Sequence, residues 1–284
     1  MKKAILSLTV LLIAAALAYP QNVVFKLTGG LSWLNGGDLN AGLLGESAAV
    51  RAASQSVTGG FETLNNGLGS RLEIITLISD RLGIGLGGGY YRVSKISQIS
   101  SHGLAGDGTA YDATAGYNAR VSVLPFYVHF HYFIPLGPRL TLDAFAGPVF
   151  AIVQFNVANP TTSTIANVDQ LVTFTASQTA LGGQLGLGLS YRLSSGIALV
   201  ADGFYRLGRV TQLQGNWAQS GTSDAGTITG SSSEYYFWAY QSGGNSRIGF
   251  FDKNGPTEAS ATGAQKATIS LSGLALGAGV KISF

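Results

Sequence analysis

Residues 274–284 read LALGAGVKISF, and this stretch separates into two faces when every second residue is taken. One face is apolar throughout and comprises Leu274, Leu276, Ala278, Val280, Ile282 and Phe284. The opposite face is small or charged and comprises Ala275, Gly277, Gly279, Lys281 and Ser283. A period of two is typical of a β-strand whose faces lie in different environments. The stretch therefore predicts a strand with one apolar face.

The same period recurs in seven earlier stretches of strand length. They cover residues 25–34, 71–78, 82–90, 121–134, 140–153, 181–192 and 197–207. Within 121–134, for example, Leu124, Phe126 and Val128 alternate with Tyr127 and His129. Together with residues 274–284, these stretches predict eight antiparallel strands and an all-β fold.

The connections between the predicted strands alternate in length. Tight turns are predicted at residues 79–81, 135–138 and 194–196. Long connections rich in Gly, Ser and Asn are predicted at residues 35–70, 98–120, 156–179 and 214–267. Short connections at one end and long ones at the other, with an even strand number, are typical of bacterial outer-membrane barrels.

Glycine fills the small face of several predicted strands, as at Gly83, Gly85, Gly87 and Gly89. Such a row weakens a strand that faces water. It is reasonable in a narrow closed sheet, where side chains from the opposite wall fill the interior. We therefore expect the glycine face to point inward and the aliphatic face to point outward into lipid. The alternative is a soluble barrel or sandwich with its aliphatic face inward.

Composition narrows the class of protein further. Charged residues make up 11% of the chain, against about 25% in typical soluble domains. The net charge of +3 is small and scattered, so nucleic acid is not an expected partner. The chain contains no cysteine, which excludes disulfides and thiolate metal sites.

The first 18 residues have the pattern of a secretory signal peptide. Met1, Lys2 and Lys3 precede an apolar run over residues 4–17, and an Ala-Leu-Ala sequence ends at Ala18. The run is shorter than the roughly 20 residues that a membrane-spanning helix needs. We therefore predict cleavage after Ala18 and a single domain over residues 19–284.

The strand pattern, with the hairpins SDRLGIGLGGGYYR and GLGLSYRLSSGIAL, resembles the eight-stranded outer-membrane family that includes the barrel of outer-membrane protein A, the outer-membrane protein W group and the opacity-type adhesins. The resemblance covers nearly the whole mature chain. It implies an antiparallel up-and-down transmembrane β-barrel in the outer membrane, with periplasmic short turns and extracellular long loops. It also implies that Phe284, with Ile282 and Val280, forms a signal for the barrel-assembly machinery. The expected surroundings are outer-membrane lipid and lipopolysaccharide.

Aromatic residues lie toward the ends of the predicted strands. Tyr132, Tyr191 and Phe284 are near the short turns, whereas Trp33, Tyr90, Phe150 and Tyr205 are toward the long connections. Two such girdles are expected where strands cross the interfaces of a membrane.

Seven ionisable residues fall on the inward face of the predicted barrel. They are Lys26, Glu73, Asp143, Arg192, Asp202, Arg206 and Lys281. Lys26 and Lys281 lie on neighbouring strands and repel each other unless an acid lies between them, and Asp202 is the candidate. Buried charges persist only when they are paired. The set predicts either a plug of ion pairs or a hydrophilic path through the lumen.

His129 and His131 share the inward face of one strand. Interior hydrogen bonding is the expected role, since the sequence identifies no third ligand for zinc. No cofactor is therefore predicted. Small barrels of the outer membrane include lipid A-modifying enzymes and proteases, but only three histidines are present. The third, His102, falls in a predicted loop, and no catalytic residue is assigned.

The fourth long connection contains an aromatic patch formed by Tyr235, Tyr236, Phe237, Trp238 and Tyr240. The patch could be a binding surface, or part of strands that continue the barrel above the membrane. With residues 247–251 it could also form an extra transmembrane hairpin, which would give ten strands. Each segment is short for a spanning strand.

These features predict a non-enzymatic, monomeric surface protein that supports the envelope and binds an extracellular ligand through its loops. The alternative function is a narrow, porin-like channel for small or hydrophobic solutes, as in the outer-membrane protein W group.

Overall fold

A computed structural model describes residues 23–283, apart from the side chain of Ala166. The signal peptide predicted at residues 1–18 and the terminal Phe284 lie outside the described residues. The strands are β1 (Val23–Trp33), β2 (Ser56–Gly60), β3 (Asn66–Leu77), β4 (Leu82–Leu104), β5 (Ala110–Pro135), β6 (Leu140–Ser163), β7 (Val168–Arg192), β8 (Ile197–Thr211), β9 (Gln214–Ser223), β10 (Gly226–Ser242), β11 (Asn245–Phe251), β12 (Thr262–Lys266), β13 (Thr268–Ser270) and β14 (Gly273–Ser283). A helix, α1 (Asp38–Ala53), follows β1, and a short 3₁₀ helix (Ile165–Asn167) precedes β7. Within residues 23–283, no helix combines the length and the hydropathy needed to span a bilayer.

Eight of the strands form a closed antiparallel ring. The ring runs in the order β1, β3, β4, β5, β6, β7, β8 and β14, and β14 pairs again with β1. Leu27 of β1, for example, is opposite Val280 of β14 on one side and Leu72 of β3 on the other. The predicted ring of eight antiparallel strands is confirmed, and within the described residues each of the eight predicted stretches falls almost entirely in one of its strands.

The two faces of the ring near the short turns are oriented as predicted. Leu185 and Leu187 of β7 point outward and expose more than half of their side chains. Glu73, His129 and Asp202 point inward and are almost completely buried. The soluble alternative, with the aliphatic face inward, does not describe this part of the ring.

The polarity of the two faces inverts further along the longest strands. On β5 the outward residues change from Leu124 and Phe126 to the exposed Arg120, while the inward residues change from His129 to the buried Val121. The side chains still alternate between the same two sides, so only their chemistry changes.

On the adjacent strands the outer face changes from apolar to polar at the same level. Leu124 is opposite Ile152 of β6, which is opposite Thr179 of β7. In the next row of outward-facing residues, which is farther from the short turns, Ser122, Gln154 and Ser177 are all polar. We call the part with the apolar outer face the lower ring and the part beyond this level the upper lobe.

The upper lobe corrects the prediction of long irregular loops. Residues 98–120 and 156–179 are mostly the outer halves of β4–β7, and residues 214–267 contain β9–β12. β9 and β10 extend the sheet from the upper half of β7, while β2 pairs with β4. Strands continue there because the alternation persists, with Thr, Ser and Asn outward and apolar residues inward.

Helix α1 occupies the segment predicted as the first loop and packs against β11. Leu39 and Leu43, one helical turn apart, are fully buried in the core of the lobe. A Cβ atom at Gly42 would overlap the side chain of Ile248, so the helix approaches β11 closely because this position is glycine.

The aromatic patch of the fourth connection is mostly interior. Phe237 is fully buried, and its ring lies 5.2 Å from that of Phe155 and 5.6 Å from that of Phe250. Trp238 and Tyr240 are also buried. The interpretation as an exposed binding surface is therefore wrong for these three residues, whereas Tyr235 and Tyr236 are half-buried. The strands that continue above the ring are observed instead. β10 pairs with β9, β11 and β12 and does not enter the ring, so the ten-stranded alternative is also wrong.

Candidate functional site

The lower ring holds a buried network of charged side chains, which we call the lumenal network. Its members come from inward positions on β1, β3, β5, β6 and β8, which converge because the ring is narrow. They are Lys26, Arg71, Glu73, Tyr127, His129, His131, Asp143 and Asp202.

Two cations and three carboxylates form the ionic part of the lumenal network. Lys26 Nζ lies 3.1 Å from Asp202 Oδ2 and 3.7 Å from Asp143 Oδ2. Arg71 lies 3.5 Å from Asp202 Oδ2 and 3.8 Å from Glu73 Oε2. Each buried charge thus has an opposite charge nearby, as burial requires.

The two predicted histidines meet at a single carboxylate oxygen. His129 Nδ1 lies 2.8 Å and His131 Nε2 lies 3.1 Å from Glu73 Oε1. The other ring nitrogen of His131, Nδ1, lies 2.8 Å from Asp143 Oδ1. His131 therefore bridges two carboxylates, and both histidines make hydrogen bonds inside the ring.

Aromatic rings fix the position of the lumenal network. The Arg71 guanidinium lies 4.2 Å from the ring centre of Phe204 and 4.9 Å from that of Tyr127. Arg71 Nε also donates a hydrogen bond to the Tyr127 hydroxyl at 3.3 Å. Phe145 packs between the histidines and Phe204.

The inward glycines make room for these side chains. A Cβ atom at Gly87 would overlap the ring of Tyr127, and one at Gly186 would lie 2.5 Å from Phe145 and 2.6 Å from Phe204. Side chains from the adjacent strands β5, β6 and β8 therefore fill the space above these two glycines.

The structure joins Lys26, Glu73, Asp143 and Asp202 of the seven predicted interior charges and places the other three apart from them. Arg206 is buried at a higher level, where it donates a hydrogen bond to Ser32 Oγ at 2.6 Å and stacks on Tyr91 at 3.9 Å.

Lys281 and Arg192 lie near the short turns. Lys281 is half-buried, with its ammonium 4.5 Å from the ring centre of Phe133. Arg192 is exposed, since it is the last residue of β7. The prediction of an interior position for Arg192 is therefore wrong.

Sequence reasoning missed Arg71 and Tyr127. Arg71 lies two residues before Glu73 on β3, so the period of two already assigns it to the inward face. Tyr127 shares a face with His129 for the same reason. Both have a polar group, but the sequence does not show which charged side chains of other strands this group contacts.

The lumenal network leaves little room for water. His129, His131 and Glu73 have 0–2% of their surface accessible, although their side chains are inside the ring. A water-filled path beside them would give them accessible surface. Above the network, a cavity of about 30 Å³ is lined in part by Arg71, Gln184 and Arg206, which is room for about two water molecules.

A second histidine site lies at the exposed rim of the upper lobe. His102 Nδ1 lies 3.0 Å from Asp112 Oδ1, and His102 is opposite Ser56 in the sheet. This row has the residue types of a hydrolytic triad. Among the described residues, however, Ser56 makes no hydrogen bond to His102, so the row lacks the contact that activates a serine.

The chain matches no protein-family profile and no curated protein. Among solved structures it is similar to a major outer membrane protein from Thermus thermophilus, with 14% identity over 92% of this chain and 99% of that chain and a TM-score of 0.41. It is also similar to the outer membrane protease OmpT from Escherichia coli, with 10% identity over 94% of this chain and 98% of that chain and a TM-score of 0.37. A third is Ail, the attachment invasion locus protein of Yersinia pestis, with 11% identity over 92% and 99% of the two chains and a TM-score of 0.30. None of these likenesses is strong enough to transfer a site or an activity to this chain.

Proposed function

We propose that the chain is a non-enzymatic outer-membrane β-barrel protein. Its lower ring spans the bilayer, and its upper lobe stands outside the cell as a structured surface. The observation that supports this proposal best is the inversion of polarity at one level across adjacent strands. An apolar outer face suits hydrocarbon, and the polar outer face beyond it suits water.

The apolar face has the height of a bilayer core. On β7 its outward residues run from Leu181 to Tyr191, which is about 34 Å of strand at about 3.4 Å per residue. With a typical tilt of about 40°, this length corresponds to about 26 Å along the barrel axis. Outer-membrane barrels have an apolar band of about 25 Å.

Tyrosines mark both edges of the apolar band. Tyr132 and Tyr191 lie near the short turns, and Tyr90 and Tyr205 lie near the upper lobe; all four side chains are exposed on the outer face. Amphipathic tyrosine rings are favoured at membrane interfaces. Their positions support the proposed limits of the membrane.

The upper lobe presents a polar surface built from strands rather than from irregular loops. Thr175 of β7 lies between Asn156 of β6 and Asn216 of β9, all on the outer face of the sheet. Hydroxyl and amide groups in such rows can hydrogen-bond with water and with saccharides, including those of lipopolysaccharide. This surface is our candidate for contact with envelope sugars or an extracellular ligand.

The narrow channel is the second candidate function. Inward glycines favour it, but the buried lumenal network opposes it, because ions would have to cross tightly packed charges and aromatic rings. Purified protein in planar bilayers should therefore carry no steady current. A stable conductance that changes with substitution of Arg71 would favour the channel.

The absence of cysteine allows a direct test of the proposed topology. Single-cysteine variants T175C (upper lobe), L185C (apolar band) and S194C (short turn) are expressed and treated on intact cells with a membrane-impermeant thiol reagent. We expect labelling of T175C alone, and labelling of S194C only after the outer membrane is permeabilised. Labelling of L185C in intact cells, or of S194C instead of T175C, would contradict the proposal.

Recognition by the barrel-assembly machinery is part of the same proposal. Val280 and Ile282 point outward on β14 and are exposed, as expected of residues that another protein or lipid contacts. Substituting both with Ser should lower the amount of folded protein in the outer membrane. A monomer remains the expected oligomeric state.

A further inference from the structure

We propose that Glu73, His129 and His131 bind one divalent transition-metal ion of the zinc class inside the lower ring. The site goes beyond the proposed surface function and does not depend on it. Two imidazoles and one carboxylate are a donor set that zinc accepts.

The three donor groups already converge. Glu73 Oε1 lies 2.8 Å from His129 Nδ1 and 3.1 Å from His131 Nε2, and one ligand atom from each residue lies within 4.8 Å of the other two. Zinc–ligand bonds of about 2.0–2.1 Å in tetrahedral geometry place ligand atoms about 3.3 Å apart. The two nitrogen–oxygen distances at Glu73 are within about 0.5 Å of this spacing, and the two histidine nitrogens, which lie within 4.8 Å of each other, would adjust to the ion.

A second carboxylate orients one of the ligands. Asp143 Oδ1 lies 2.8 Å from His131 Nδ1, so with a metal on Nε2 the Nδ1–H group of His131 would donate a hydrogen bond to Asp143. Carboxylate–histidine–metal arrangements of this kind fix the tautomer and orientation of the ring. Arg71 approaches the other oxygen of Glu73, Oε2, at 3.8 Å and leaves Oε1 to the histidines.

Packing holds the ligands in place before a metal binds. The His129 ring stacks on Tyr127 at 4.3 Å, and the His131 ring is parallel to Phe133 at 5.7 Å. A Cβ atom at Gly85 would lie 2.6 Å from Glu73 Oε1 and 2.7 Å from His131 Nε2. Glycine at this position therefore keeps the donor atoms free of steric obstruction.

The test uses the full mature chain, folded in detergent and stripped of metal with a chelator. Titration with Co²⁺, followed by its visible absorption, and calorimetric titration with Zn²⁺ should both show one site per chain. H131Q and H129Q should each weaken binding by about tenfold or more, and D143N by about 10–100-fold. H102N is the matched control, because His102 is exposed at the rim, and it should bind as the wild type does.

Failure to bind one equivalent, or equal binding by the wild type and H131Q, would overturn the proposal. The gel mobility of unheated and heated samples shows whether each variant is folded. X-ray absorption at the zinc edge needs no variant and should show two imidazole nitrogens and a carboxylate oxygen around the ion. A shell without imidazole scattering would also overturn the proposal.

Discussion

Lys26 Nζ lies 3.1 Å from Asp202 Oδ2, and both side chains are buried inside the ring. Lys26 is directly opposite Lys281 on the adjacent strand β14, and Asp202 is on the far side of β14, on β8. The acid therefore offsets a repulsion between like charges that the register imposes. The period of two assigns all three residues to the inward face, so the sequence predicts that the acid lies close to the lysines. The structure shows this contact for Lys26 and Asp202.

Removing one member of this pair should destabilise the ring strongly. K26M leaves two buried carboxylates without their ammonium partner, and breaking a buried pair typically costs about 3–5 kcal/mol. Urea unfolding of the protein in lipid vesicles, followed by tryptophan fluorescence, measures the free energy of unfolding. K95M is the control, since Lys95 pairs with the exposed Glu62, and its cost should be under about 1 kcal/mol. Equal effects of the two substitutions would contradict the structural role of Lys26.

The inward glycines of the lower ring should not tolerate a methyl group. G186A places a Cβ atom 2.5 Å from the Phe145 ring, and overpacking of this kind typically costs about 1–3 kcal/mol. G183A on the same strand faces outward, where the nearest neighbour of its Cβ is a carbonyl oxygen at 3.7 Å. The same unfolding measurement should give no loss for G183A. A stable G186A variant would mean that the lumen is less tightly filled.

Phe237 should hold the upper lobe together. F237A removes a fully buried ring, and such truncations typically cost about 3–5 kcal/mol. Limited proteolysis should cut the upper lobe faster in F237A, while the lower ring stays folded in the heat-dependent gel assay. I96A is the control because Ile96 is exposed on the outer face of β4. Unchanged proteolysis of F237A would indicate that the lobe does not depend on this aromatic core.

Helix α1 should become less stable as the pH rises. Burial raises the pKa of Glu46 above its ordinary value of 4.5, while the neighbouring Arg247 acts in the opposite direction. A carboxyl group with a raised pKa contributes stability that is complete below pH 4.5 and is lost as the pH rises through the raised pKa. Hydrogen exchange of residues 38–53, corrected for intrinsic rates, should show this loss in the wild type. In E46Q, which cannot ionise, the pH dependence should disappear; if it persists, another group is responsible.

The lower ring is predictable from the sequence because its two faces differ strongly. Leu185 and Leu187 alternate with Gly186 and Gly188, so the period of two is unmistakable. In the upper lobe the contrast between the faces is weaker and reversed, as at Thr175 and Ala176, and the pattern there favours loops over the strands that form. Helix α1 has few large apolar residues at helical spacing, namely Leu39, Leu43 and Val50. Its Gly42 and Gly45 are usual loop residues, but here they allow close packing against β11.

The members of the lumenal network are partly predictable, but their contacts are not. Parity assigns Glu73 and His131 to the inward face, yet the residue paired with Glu73 on β4 is Gly87. His131, which is on the next strand, reaches Glu73 across β4 because Gly85 has no side chain in the way. Such diagonal contacts depend on the stagger of the strands around the ring, which a pattern of alternating residues does not contain.

The claim that the lower ring lies in hydrocarbon is tested most directly by spin labels on β5. Single cysteines at the outward positions 120, 124, 126, 130 and 132 carry a nitroxide in lipid vesicles, and its collisions with oxygen and with a water-soluble nickel chelate are compared. We predict that collisions with oxygen are the more frequent at positions 124, 126 and 130, where the native residues are apolar. Collisions with the nickel chelate should be the more frequent at position 120, in the upper lobe. Nickel collisions that dominate along the whole strand would show that water surrounds the ring and would contradict the membrane placement.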